Sequence, residues 1–223
     1  MKIRKISCLL ALLFLSLGAE AAIEVQATYT SKDGVEETTS KDFNAEAPLQ
    51  VHFTPLNVSD EEGTSIEWHF SHKASGTHVT RYDTETDYTF VQAGINTVTL
   101  YQKKGDEKID SASISITITE SYLEMPNAFS PNDDGTNDIY RAKQDKYKSI
   151  VEFHAYIFNR HGQKLFDWTD ITKGWDGTYR GTPVKDGVYF VYVKARGADG
   201  VEYNIRRDVN LIRKFNVTTN SNE

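Results

Sequence analysis

Strict alternation of apolar and polar residues over short runs is what most constrains this chain. Over residues 110–119 the sequence DSASISITIT puts Ala112, Ile114, Ile116 and Ile118 on one face, with Ser and Thr on the other. A period of two belongs to a half-buried strand, because successive side chains of extended backbone point to opposite sides. Similar runs cover residues 23–30, 49–55, 65–70, 95–104, 149–158, 187–196 and 202–212. Turn-rich pieces such as SKDG, DEEG, QKKGDE and ARGADG separate them. Helical periodicity is scarce beyond the first turn-free stretch. The expected fold is all-β, with two immunoglobulin-like antiparallel β-sandwich domains in tandem.

The N-terminus reads differently. Lys2, Arg4 and Lys5 precede an apolar run over residues 6–17, and Ala19-Glu20-Ala21 fits the small-x-small pattern before a cleavage point at Ala22. The run is shorter than the roughly 20 residues of a spanning helix. Cys8 lies near its start, where a lipidated cysteine would follow it, so residues 1–21 read as a cleaved secretory signal peptide. Cleavage removes the single cysteine, leaving no disulfide, thiol nucleophile or thiolate metal site. It also removes three basic residues and Glu20, which moves the formal charge from −7 to −9. An acidic chain of this kind has no electrostatic reason to seek nucleic acid or anionic lipid. No later stretch has the length of a transmembrane segment.

The chain divides into residues 22–121, residues 122–214 and a polar tail over 215–223. In the first part, SIEWHF followed by DYTFVQAGINTVTLYQKK resembles the PKD-type immunoglobulin-like repeat. The matching positions are Trp68, Phe70, Tyr88, Phe90, Gly94, Val98 and Leu100. The resemblance implies a spacer or interaction module, with a glycan or protein as its ligand. His69 stands where that family usually has Asp, and SHKASG replaces its Gly-Asp-Gly turn.

The second part carries four blocks in order. They are MPNAFSPNDDGTNDIY, AYIFNRHGQKLFD, GWDGTYRGTPVKDGVYFVYV and RRDVNLIR. Together they closely resemble the gliding-motility-associated C-terminal domain of Bacteroidetes-type bacteria, the type B sorting signal of type IX secretion. The residues that carry the resemblance are Pro126, Asn127, Phe129, Pro131, Asn132, Asp134, Gly135, Asn137 and Asp138 in the first block. Asn159, Arg160 and Gly162 follow, then Trp175, Asp176, Gly177, Asp186, Gly187 and Tyr189. The resemblance implies export to the cell surface or medium, with the type IX machinery or outer-membrane assembly proteins as partners. A periplasmic or outer-membrane docking role is the alternative. Each block also has a mechanical reading, as a hairpin loop at 159–162 and turns at 176–177 and 186–187 that need permissive backbone.

Two metal readings arise from residue type. Asp133, Asp134, Asn137 and Asp138 supply oxygens for calcium around the sharp bend at Gly135, although the distal Glu of an EF-hand is missing. The alternative is an Asx-rich turn that caps its own backbone amides. His69, His72 and His78 are of the type that holds zinc, but residues three apart on a strand face opposite sides. No nucleophile elbow, phosphate loop or H-E-x-x-H motif occurs, so the expectation is a non-catalytic protein without a resident cofactor. Tyr82 and Tyr101 are candidate exposed aromatics for a ligand, and Asp110-Ser111-Ala112 matches a short O-glycosylation pattern.

Overall fold

The computed structural model describes residues 21–213; the signal-peptide reading and the tail at 215–223 lie outside them. The first half comprises β1 (Glu24–Thr30), β2 (Glu36–Thr39), β3 (Phe43–Ala45), β4 (Leu49–Leu56) and β5 (Thr64–His72). It continues through β6 (Thr77–Arg81), β7 (Thr86–Phe90), β8 (Gly94–Lys104) and β9 (Glu107–Ile118). These make two facing sheets, ordered β2-β1-β4-β7 and β3-β9-β8-β5-β6. That is the strand order of an immunoglobulin-like sandwich. All pairings are antiparallel except β3 with β9, where the chain crosses from one sheet to the other and docks parallel to the last strand.

The core between the sheets follows the alternation. Phe53, Trp68, Phe70 and Phe90 meet with ring centroids 5.6–6.2 Å apart around Phe53. The Trp68 indole donates to the Asp83 carbonyl at 3.0 Å, which satisfies its one polar atom. Truncating such a fully buried aromatic to Ala costs about 3–5 kcal/mol. The run at residues 95–104 buries alternate residues starting from Asn96. Ile95 points outward and Asn96 inward, with its amide reaching the Gln92 and Gly94 carbonyls. Val98, Leu100 and Gln102 then share the inner face.

The second half comprises β10 (Tyr122–Leu123), β11 (Ala128–Phe129), a 3-10 turn at Gln144–Lys146, β12 (Tyr147–Lys148) and β13 (Ile150–Phe158). Beyond them lie β14 (Lys164–Trp168), β15 (Thr178–Tyr179), β16 (Thr182–Pro183), β17 (Gly187–Gly197) and β18 (Glu202–Leu211). One five-stranded sheet, β11-β18-β17-β13-β14, forms one layer. Two short ribbons, β10-β12 and β15-β16, and an isolated antiparallel bridge between Tyr140 and Trp175 complete this half. Ala155, Ile157, Val191, Val193, Val209 and Leu211 cover the sheet's inner face.

The two cores are separate, yet their sandwiches are bonded to each other. Ser149 is the junction, held at φ 47° and buried. Its hydroxyl accepts from the Ala47 amide at 3.2 Å and lies 2.9 Å from the Thr119 hydroxyl. Its carbonyl receives the Ala198 amide at 2.9 Å, while the Ala198 carbonyl receives the Ala93 amide at 2.9 Å. Nearby, Asp199 accepts from the Ser121 amide at 2.8 Å and the Ser121 hydroxyl at 2.7 Å. Val151 and Ala198 pack directly on the N-terminal core. Among the described residues no helix is long and apolar enough to cross a membrane.

Candidate functional site

The four sequence blocks of the second half converge on one end of its sandwich. The loop over residues 130–138 closes on itself through Asp138. Its Oδ1 accepts the amides of Asn132 at 2.9 Å and Asp133 at 2.8 Å, and its Oδ2 accepts that of Gly135 at 2.8 Å. Partial desolvation works to raise the Asp138 pKa, but the surrounding backbone amides outweigh it and hold the carboxyl below its ordinary value. Asp133, Gly135 and Asn137 all take positive φ. The Asp134 carboxylate receives the Thr136 amide and the Asn132 side-chain amide, at 2.8 and 2.9 Å.

These bonds are those of an Asx-rich turn that caps its own backbone amides. Asp138 has both oxygens turned toward N–H donors, and the Asp134 carboxylate likewise accepts from two. Among the described residues no three His, Cys, Asp or Glu side chains form a metal-holding group. Asp133, Asp134, Asn137 and Asp138 lie in this Asx-closed loop, with Asn137 contributing its carbonyl to the Ser130 amide at 2.9 Å.

Phe129 enters the core beside this loop, 5.6 Å from the Tyr140 ring and 5.3 Å from that of Trp175. The Tyr140 hydroxyl donates to the Pro126 carbonyl at 2.9 Å, and burial pushes its pKa upward. The Asn127 carbonyl receives the Asn210 amide, which ties the block's entry to the end of β18. Trp175 is fully buried, donates its indole N–H to the Thr178 carbonyl at 2.7 Å and packs on Tyr189 at 5.1 Å. Asp176 caps the same turn by accepting the Thr178 amide at 2.9 Å.

Gly177 shows why that turn excludes other residues. It sits at φ 79°, and a Cβ there would lie 2.9 Å from Pro131 Cγ and 3.1 Å from both Leu211 and Arg213. Three blocks thus touch at one glycine. Arg213, at the end of the fourth block, closes the group. Its Nη1 donates to Asp186 at 2.9 Å and the Val184 carbonyl at 2.6 Å, and its Nη2 to the Gly177 carbonyl at 3.0 Å. The Arg213 amide also donates to Asp186 Oδ2 at 2.9 Å. Arg213 carries no signal in the sequence, since its partners lie 27–36 positions away.

Residues 123–205 match the CHU_C type IX secretion signal domain. The match lies within the second sandwich and leaves the first outside. No curated protein matches the chain. Among solved structures, the dimeric latent PorU of Porphyromonas gingivalis is similar at 10% identity, over 88% of this chain and 21% of that one, with a TM-score of 0.28. A tetra-tandem repeat from the extending region of a large adhesion protein is 12% identical over 86% of this chain and 67% of its own, TM-score 0.27. SGBP-B of Bacteroides ovatus, solved with a mixed-linkage heptasaccharide, is 15% identical over 78% and 43%, TM-score 0.26. At these scores the superpositions add nothing to the strand order described above.

In the second sandwich, Asn159 organises the first hairpin. Its Oδ1 accepts the His161 and Gln163 amides at 2.9 and 3.1 Å, with Gly162 at φ 77° and Arg160 exposed at the tip. Gly187, at φ 150°, opens β17, and the Tyr189 hydroxyl two residues on donates to the Lys185 carbonyl at 2.6 Å. In the first sandwich, Tyr82 is 71% exposed. Tyr101 departs from its expectation, because the Lys108 ammonium stands 3.5 Å over its ring and His69 packs against it at 4.8 Å. Ser111 lies on the exposed side of β9.

Proposed function

We propose that this chain is a cargo of type IX secretion, carried by residues 122–214 and displaying residues 22–121 at the cell surface or in the medium. The carrying observation is that the residues of the first, third and fourth blocks meet at Gly177 and Arg213, within a domain that matches the signal family over residues 123–205. The contacts there hold loops in place; none has the nucleophile–base geometry of a catalyst. The PKD-like sandwich acts as a non-catalytic spacer or interaction module, with a glycan or protein as ligand. The type IX machinery is the partner of the second sandwich.

The bonded junction around Ser149 favours a second reading, in which the two sandwiches serve together as a periplasmic or outer-membrane docking body. Localisation in the native host, by protease shaving and fractionation, separates the two. The intact chain is expected at the surface or in the medium, and a chain ending at Glu124 in the periplasm. If both remain periplasmic, export by this domain is ruled out and the docking reading stands.

A further inference from the structure

The outer face of the first sandwich gathers polar groups that the sorting reading does not use. His69 on β5 and His78 on β6 approach each other with Nδ1 and Nε2 3.2 Å apart. The other nitrogen of His69, Nε2, lies 3.2 Å from Glu67 Oε2. Glu67 is fixed from its far side by Lys103 at 2.9 Å, and the His69 ring stands edge-on to Tyr101. His72 is excluded from this group. It lies buried on the opposite face, with Nε2 2.9 Å from the Ala93 carbonyl and Nδ1 2.8 Å from the Ser75 hydroxyl.

We propose that His69 and His78 form a two-histidine binding site for a divalent first-row transition metal ion such as zinc, with Glu67 orienting His69. The spacing is the first ground. Two imidazole nitrogens 3.2 Å apart, each about 2.0–2.1 Å from an ion, subtend an angle of about 100–106°, close to tetrahedral. The second ground is the carboxylate. A ligating histidine characteristically gives its other N–H to a carboxylate, which fixes the tautomer and leaves the free nitrogen facing the ion. Glu67 stands in that place, 3.2 Å from His69 Nε2, with its other oxygen held by Lys103 at 2.9 Å.

The proton balance is simple. In the neutral pair, His69 Nε2–H donates to Glu67, so His69 Nδ1 accepts from His78 Nε2–H. The ion takes the place of that shared proton, which moves through solvent to His78 Nδ1. A small ring rotation brings both lone pairs onto the ion, and water completes its shell. Imidazole nitrogen selects zinc, copper or nickel over calcium and magnesium.

The test uses the untagged chain from Ala22 onward, titrated with zinc chloride by calorimetry while the histidine ring resonances are followed by NMR. One ion per chain is expected, with the rings of His69 and His78 shifting together. His78→Gln, on an exposed position of an edge strand, abolishes binding, and Glu67→Gln weakens it by about 10–100-fold. His52→Gln, which removes a ring bonded to Asp87 on the other sheet, leaves it unchanged. Thermal melts without metal establish that each variant is folded. Absence of saturable binding to the unaltered chain, or binding that survives His78→Gln, overturns the proposal.

Discussion

Arg213 and Asp186 are joined twice, through a guanidinium–carboxylate contact and a backbone amide–carboxylate contact, both at 2.9 Å. The same guanidinium bonds the carbonyls of Val184 and Gly177. One planar, forked cation thus spans the turn after Trp175, the approach to β17 and the end of β18. That geometry suits Arg and not Lys, whose ammonium is a point charge.

Replacing Arg213 by Met therefore removes three side-chain bonds while keeping the aliphatic stem. The expected loss is about 1–3 kcal/mol of stability, in the range of hydrogen bonds involving a charged partner. Arg213→Lys recovers only part of it. Denaturant midpoints of the two variants measure the difference, and equal midpoints for Lys and the unaltered chain would refute the fork.

Gly177 and Gly135 separate backbone strain from crowding. Both have positive φ, but a Cβ at Gly135 meets nothing within 4 Å, whereas at Gly177 it meets Pro131 Cγ at 2.9 Å. Gly135→Ala is expected to cost about 1–2 kcal/mol for the left-handed backbone alone. Gly177→Ala costs more, by an amount read from paired thermal melts.

Acid opens the Asp138 loop. Its folded pKa lies below the ordinary carboxylate value because of the amides it accepts, against the opposing pull of desolvation. The stabilisation is therefore fully present above the unfolded pKa of about 4 and is lost as pH falls through the lower folded value. Amide exchange at Asn132, Asp133 and Gly135 should accelerate over that acid window. In Asp138→Ala the same amides exchange fast at neutral pH.

Ser149 couples the sandwiches. Removing its hydroxyl leaves the buried Ala47 amide without its partner, a loss of about 1–3 kcal/mol. Gly197→Ala acts at the same junction, since its Cβ would fall 2.1 Å from Ser121 Oγ. The unaltered chain is expected to melt in one calorimetric transition, and each variant to broaden or split it.

Much of the fold was legible because alternation reports burial directly. Trp68, Phe70, Val98 and Leu100 fall inward as their spacing requires, and so do Ile114, Ile116 and Ile118. At Ile95 and Asn96 residue type does not report burial: Ile95 faces outward, and Asn96 takes the buried place through its carbonyl contacts. The short ribbons β10-β12 and β15-β16 were illegible, because two residues carry no periodicity. Ser149 gave no signal either; its partner Ala47 is 102 positions away. The Asp138 loop showed its composition but not its direction. Carboxylates look alike in sequence whether they face a cation or their own amides.

The central claim is that type IX export acts on this chain through its second sandwich. Its most direct test compares the location of the full-length protein in the native host with that in a host lacking a working type IX translocon, by surface protease shaving and fractionation. The account predicts surface or secreted protein in the first and folded protein retained in the periplasm in the second. The same location in both hosts would contradict it.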